Sequence, residues 1–199
     1  MKTSLYGVLC ATLLLAGSGC ESRQDAVENA QEVNEAKNDS ATASAGSNQM
    51  EEKKDFDSEF MTKAASGGML EVELGKAVAA KATTPEAKQF ANMMVTDHTK
   101  ANIELKALAA KKNITLPATM GEDHQEVYKD VTEKTGINMD KEYLREMVQD
   151  HEEDVKEFIE ASVKATDPDI KAFAKKTTPV LQHHLEQAQK MQAAVKAKK

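Results

Sequence analysis

Apolar positions recur three and four residues apart along four stretches of this chain, the spacing that lines one face of an α-helix. The first seam runs Phe60, Ala64, Gly67, Glu71, Leu74, Val78, and the second Ala91, Met94, His98, Ala101, Leu105, Leu108. The third runs Leu144, Val148, His151, Val155, Phe158, Ser162, and the fourth Thr177, Leu181, His184, Ala188, Met191, Val195. Thr84-Pro85 divides the first two and Asp167-Pro168 the last two, each a capping side chain followed by a proline suited to the first helical position. The pattern predicts helix, tight turn, helix, twice. Pro117, Gly121 and Gly136 punctuate the connection from Asn113 to Asp140, with a short helix expected around Glu122 to Lys134.

The two halves echo each other. Lys81 to Ala91 recurs as Lys164 to Ala174 at an offset of 83, with seven of the eleven positions identical. The same offset pairs Phe60 with Tyr143 and Val72 with Val155. Two copies of one hairpin, joined by a long crossing between the second and third helices, predict an all-α, ferritin-like four-helix bundle over residues 56–197. Composition agrees: aromatic residues make up 4% of the chain and Trp is absent, too few for a β-sandwich, whereas Ala, Lys, Glu, Met and Leu favour packed helices.

The ends of the chain differ in character. Lys2 precedes an apolar run from Leu5 to Leu15, and Ala16, Gly17, Ser18 and Gly19 then lead into Cys20. The run is too short to span a bilayer, and the layout resembles a bacterial lipoprotein signal peptide over residues 1–19, with Cys20 as the lipid-attachment site. Gly17 stands where such signals usually carry leucine. Glu21 is not the Asp that retains enteric lipoproteins at the inner membrane, so the resemblance points to the periplasmic side of the outer membrane. Residues 20–55 hold almost no large apolar side chains and are expected to form a disordered acidic tether. From Glu21 to Glu59 the chain holds 11 acidic and 4 basic residues, which with Lys2 leaves only −1 of the net −7 from Phe60 onward. An acidic balance excludes a nucleic-acid binder, and two Cys exclude a disulfide scaffold. The membrane, reached through the lipid on Cys20, is the one partner this implies.

Each helical seam contains one residue foreign to an apolar core: Glu71, His98, His151 and His184. Glu71 and His98 are equidistant from the first turn and His151 and His184 from the second, with the two pairs offset by three residues, roughly 4.5 Å along a helix. One small ligand can then touch all four. Three imidazoles and a carboxylate suit a single transition-metal ion, namely zinc, iron, manganese, nickel or copper, better than calcium or magnesium. Asp97 and Asp150 each precede a seam histidine and point away from it, placed to orient an imidazole on a neighbouring helix. Asp154, the offset equivalent of Glu71, is a further ligand or a supporting acceptor. His124 and His183 are expected to be exposed, and Met93, Met94, Met147 and Met191 to fill the core rather than relay copper. The competing expectation is two structural pairs, Glu71 with His98 and His151 with His184, that only fix helix register. A metal site predicts affinity that collapses below about pH 6 as imidazoles protonate. No nucleophile elbow, phosphate loop or catalytic dyad is present, and no catalytic residue is assigned.

Glu71-Val72-Glu73-Leu74-Gly75, the paired strings Met94-Val95-x-Asp97-His98 and Met147-Val148-x-Asp150-His151, and Pro179-x-Leu181-x-x-His184-Leu185 together resemble the bacterial family known as domain of unknown function 4142. The resemblance spans roughly Phe56 to Val195 and implies a ferritin-like bundle exported to the cell envelope, with no settled reaction. Val95 and Leu181 stand three residues before His98 and His184, so the seam lacks the Glu-x-x-His pairs of a di-iron bundle.

Overall fold

The computed structural model describes residues 25–42 and 48–198, the side chains of 41, 42 and 48–54 excepted. The expected signal peptide, Cys20, and parts of the expected tether lie outside these residues. Those described form an all-helical bundle of six helices: α1 (Ala26–Thr42), α2 (Asn48–Lys81), α3 (Pro85–Lys112), α4 (Glu122–Thr132), α5 (Gly136–Lys164) and α6 (Pro168–Lys196). Among them α2 packs most extensively on α3 and α5 on α6, with α3 on α6 and α2 on α5 closing the bundle.

The helix starts follow from their caps. Thr84 Oγ1 accepts from Ala87 N at 3.3 Å, and Asp167 Oδ1 accepts from Asp169 N at 2.9 Å, each cap followed by a proline that has no N–H to satisfy. A second device fixes both turns, which the apolar pattern does not reveal. Asp140, at the start of α5, accepts from Thr83 N at 3.0 Å, Thr83 Oγ1 at 2.8 Å and Thr84 N at 2.7 Å. Asp57, 83 residues earlier, accepts from Thr166 N at 2.9 Å, Thr166 Oγ1 at 2.8 Å and Asp167 N at 2.8 Å. Each hairpin thus supplies the carboxylate that ties down the other's turn.

The segment Ala26–Thr42 corrects the expectation of disorder: it is helix α1, docked on the bundle. Polar contacts hold it. Asn34 exchanges two hydrogen bonds with the backbone of Thr115, at 2.9 and 2.7 Å, and Lys37 Nζ reaches Thr115 Oγ1 at 2.6 Å. Asp25 caps α1 through Val27 N at 2.7 Å and also caps α4 through Glu122 N at 2.5 Å, joining two helices by one carboxylate. Gly121 permits this approach, since a Cβ there would stand 3.0 Å from Val27 Cγ2.

Two apolar clusters fill the interior. One gathers Leu74, Val78, Phe90, Met94, Tyr143, Met147 and Met191; the other gathers Phe60, Leu105, Leu108, Phe158, Phe173 and Leu181. Each long helix passes from one cluster to the other, and the residue at each crossing is polar.

Candidate metal centre

Those crossing residues are Glu71 on α2, His98 on α3, His151 on α5 and His184 on α6, between 0% and 6% exposed. Burying four polar side chains in one layer demands partners for them. The structure brings all four together. Centroids of the three imidazoles lie 5.2 Å (His98–His184), 5.4 Å (His151–His184) and 5.7 Å (His98–His151) apart, so the one-turn offset expected between the pairs does not separate them.

Hydrogen bonds assign the tautomers. His151 Nδ1 donates to the Met147 carbonyl oxygen at 3.0 Å, leaving Nε2 as its lone-pair nitrogen. His184 Nε2 donates to Asp97 Oδ2 at 3.0 Å, leaving Nδ1. His98 Nδ1 pairs with Glu71 Oε2 and its Nε2 faces His184 Nδ1 at 3.3 Å. With Glu71 ionised, His98 keeps its hydrogen on Nδ1, and each imidazole is then anchored through one nitrogen to a different acceptor. One ligand atom from each of the three lies within 4.8 Å of the others. This is how protein ligands to metals are held: the outer nitrogen fixed, the inner lone pair aimed.

A second group overlaps the first. Glu71, Asp150 and His151 also offer ligand atoms within 4.8 Å of one another, and Glu71 Oε1 stands 3.3 Å from His151 Nε2. Glu71 Oε1, Asp150 Oδ2 and His151 Nε2 are buried without a hydrogen-bond partner. Acceptors that face acceptors repel unless a proton or a cation lies between them.

Burial dominates the electrostatics. It pulls His98 and His184 down to about 4 and His151 well below the usual imidazole range, with the neighbouring rings adding to the effect on His151 and His184. It pushes Glu71 well above the carboxylate range, and Asp150 and Asp154 likewise, reinforced for these two by each other's or Glu71's charge. The imidazoles therefore stay neutral to lower pH than their usual value near 6.5 predicts.

The supporting residues divide. Asp97 on α3 orients an imidazole of α6, as its position predicts. Asp150 does not: its Oδ2 is 3.5 Å from Nδ1 of its own neighbour His151, too long for a hydrogen bond, and its carboxyl sits with Glu71 instead. Asp154 hydrogen-bonds to none of the three imidazoles. His124 is not exposed as expected; it is half-buried, with Nδ1 2.6 Å from Ser66 Oγ. His183 is exposed. Met94, Met147 and Met191 are core residues, and Met93 packs against that core. The apolar pattern also misses Tyr143, whose buried hydroxyl has no partner and feels the charges of Glu71 and Asp150. The signal available was the repeat itself, which sets Tyr143 opposite Phe60 and so adds one hydroxyl.

Known proteins supply a lineage. The family described as Domain of unknown function (DUF4142) matches residues 39–191. A DUF305 protein from Streptomyces coelicolor has a similar fold, with a TM-score of 0.60 at 14% identity, over 72% of this chain and 96% of that one. A DUF305 fragment from Deinococcus radiodurans also has a TM-score of 0.60, at 9% identity, over 70% of this chain and 95% of its own. At such identities the likeness is one of fold. None of the curated proteins matches this chain. Because the family's pattern extends over most of the sequence, from the last turn of α1 to the last turns of α6, the chain belongs to the DUF4142 family.

Proposed function

We propose that this protein is an envelope-tethered helical bundle that binds one transition-metal ion at its core, buffering or sensing the metal or protecting the envelope from it. His98, His151 and His184 supply three nitrogen ligands, and Glu71 either completes the set through Oε1 or holds His98 from behind. The donor set suits zinc, iron, manganese, nickel or copper. The four long helices are read as a ferritin-like bundle of two repeated hairpins, and the leader as a lipoprotein signal that attaches the chain to the membrane at Cys20. Among the described residues no helix is long and apolar enough to cross a membrane.

One observation carries the metal reading: three buried imidazoles, each held through one nitrogen by a separate partner, with one ligand atom of each within 4.8 Å of the others. The alternative, a metal-free structural network, has a definite form. A protonated Glu71 donates to His98, His98 to His184 and His184 to Asp97, which satisfies that row. Burial also keeps a proton on Asp150, which donates it to Glu71, so this network leaves only His151 Nε2 unpaired in the interior, at about 1–3 kcal/mol. A cation resolves that nitrogen, which favours the first reading.

Elemental analysis and thermal melting of the full chain, with His98→Ala and His151→Ala beside it, before and after chelation, test this. The expected result is near-stoichiometric metal that both substitutions abolish, with a lower melting temperature after chelation. Absence of metal on isolation and on titration, with melting indifferent to chelator, would establish the structural network instead.

A further inference from the structure

The two flanks of the buried layer meet solvent differently. On the α2–α3 side Asn102 donates to the Gly68 carbonyl oxygen at 2.7 Å and fills the space beside that glycine. Inside the bundle, the cavity against Glu71 and His98, lined also by Asp154 and Phe158 of α5 and by Leu181 of α6, is ≈ 20 Å³, room for a single water. On the other side a cleft of ≈ 560 Å³ opens between α1, α2, α4 and α5.

That cleft is strongly polarised. Nine of its lining residues are Asp or Glu and one is a lysine, Lys63, which Glu59 holds at 2.8 Å. His124 adds no positive charge, because burial keeps its ring neutral beside Ser66. Its floor is Asp150 and Asp154, beside Gly67. A Cβ at Gly67 would sit 3.8 Å from His124 Cε1 and 4.0 Å from Asp154 Oδ1, so the missing side chain keeps the passage between them open. Directly behind the floor, Asp150 shares its ligand group with Glu71 and His151. Glu71 is 1% exposed, and its Oε1 and Asp150 Oδ2 have no hydrogen-bond partner. Asp150 therefore belongs both to the cleft lining and to the buried group that ends at His151.

We infer that this acidic cleft is the passage by which a divalent transition-metal cation reaches the buried imidazoles, with Asp154 and Asp150 as the point where it leaves solvent. The inference rests on the metal reading of the histidine layer and adds the direction of approach. Carboxylates on concave, low-dielectric walls concentrate the potential and raise the local cation concentration, so they act on association rate and are weakened by salt. Asp150 and Asp154 then replace waters of the cation with carboxylate oxygens before the imidazoles replace the rest. Helix α1 is part of the device: Asp25, Val27 and Glu28 form the outer wall, fixed to α4 by the shared Asp25 cap.

Stopped-flow mixing of the full chain with cobalt(II) chloride, whose visible absorption reports imidazole ligation, tests this. For the unmodified chain, uptake should slow severalfold between low and high salt. The Glu153→Gln, Glu157→Gln double variant should take up cobalt at least threefold more slowly, with its salt dependence flattened. Gly67→Leu, which plugs the floor, should slow uptake and chelator-driven release by a similar factor of ten or more while leaving the equilibrium affinity within about threefold. Unchanged rates in both variants, with cobalt still bound, would overturn the passage and leave the histidine site intact. Failure of the unmodified chain to ligate cobalt would overturn the site itself, and the passage with it. Helical circular dichroism identifies a misfolded Gly67→Leu, in which case the charge variant alone decides.

Discussion

Asp140 and Glu71 are both carboxylates with essentially no exposure, and they live under opposite conditions. Asp140 collects four hydrogen bonds from Thr83 and Thr84, as Asp57 does from Thr166 and Asp167. Glu71 meets a single imidazole through Oε2, and its Oε1 faces the Asp150 carboxyl and an imidazole nitrogen rather than any backbone N–H. A carboxylate surrounded by N–H groups is paid for by the fold that positions it. One surrounded by acceptors must hold a proton or a cation to stay buried, and on the proposed reading that cation is the metal. Hydrogen-bond satisfaction, rather than burial, separates the acids that fix the turns from the one proposed to bind metal.

Replacing His151 with leucine should have the largest effect and break the comparison if it is wrong. The side chain removed is fully buried and carries one of the unpaired nitrogens. Metal affinity should fall about a thousandfold, ~4 kcal/mol, in isothermal titration, while the metal-free melting temperature stays level or rises, because an apolar side chain of similar volume replaces a polar one. A lowered metal-free melting temperature with unchanged affinity would make His151 a structural residue.

Asp140→Ala should behave in the reverse way. It strands two backbone N–H groups and a hydroxyl at the α2–α3 turn, a loss of about 3 kcal/mol in chemical denaturation. Metal affinity at saturating folded protein should not change. Asp57→Ala should match it at the other turn, and the two losses should add, since the turns share no partner.

Glu71→Gln sharpens the contrast through pH. Glu71 has a folded pKa raised by burial, so the folded state holds its proton more tightly than the unfolded state does. Its contribution is therefore intact below the unfolded value near 4.5 and is lost as pH rises through the folded value. The amide cannot ionise. The melting-temperature advantage of Glu71→Gln over the unmodified metal-free protein should be absent at pH 4 and grow above it, reaching a few degrees by pH 8, about 1–2 kcal/mol. His98 and His184, lowered to about 4, act oppositely, costing stability as pH falls from 6.5 toward 4. The His184 limb, which does not touch Glu71, is common to both proteins, and the comparison is therefore read above pH 6.5, where His98 is neutral in each. Metal affinity of the variant should drop about tenfold.

Much of this was legible in the sequence, and the gaps have physical causes. Apolar periodicity marks α2, α3, α5 and α6 and their four polar intruders, and cap chemistry marks both turns, because burial and capping are local in sequence. Helix α1 escaped because its inward face, Val27, Ala30, Asn34 and Lys37, keeps helical spacing but is half polar; what it buries is an amide and a lysine stem against Thr115. The exchange of Asp57 and Asp140 between hairpins is a contact across about 110 and 57 residues, invisible to any local pattern. Net charge hid the cleft as well. A near-neutral domain averages its surface, whereas the fold places α1, α4 and α5 so that their acids share one concavity with a single lysine, Lys63. Asp150 was misplaced for a simpler reason: its direction around α5 was predicted correctly as distinct from that of His151, but it meets a carboxyl of α2 rather than an imidazole.

The smallest effect belongs to Asp97, where the contrast is least sharp because the residue is partly exposed. Its side chain is 39% exposed, and its one described task is to accept the His184 Nε2 hydrogen at 3.0 Å. An acceptor behind a ligating imidazole does two things: it fixes the tautomer and it makes the ring a stronger donor to the metal. Asp97→Asn keeps an oxygen that accepts the hydrogen but removes the charge, and solvent already screens that charge. Affinity should weaken only about two- to fivefold, below the 10- to 100-fold typical of buried supporting carboxylates. Asp97→Leu removes the acceptor, frees His184 to place its hydrogen on Nδ1, and should cost about tenfold. Equal losses in the two variants would assign the effect to charge alone, and the His184 tautomer would then be set by its contact with His98.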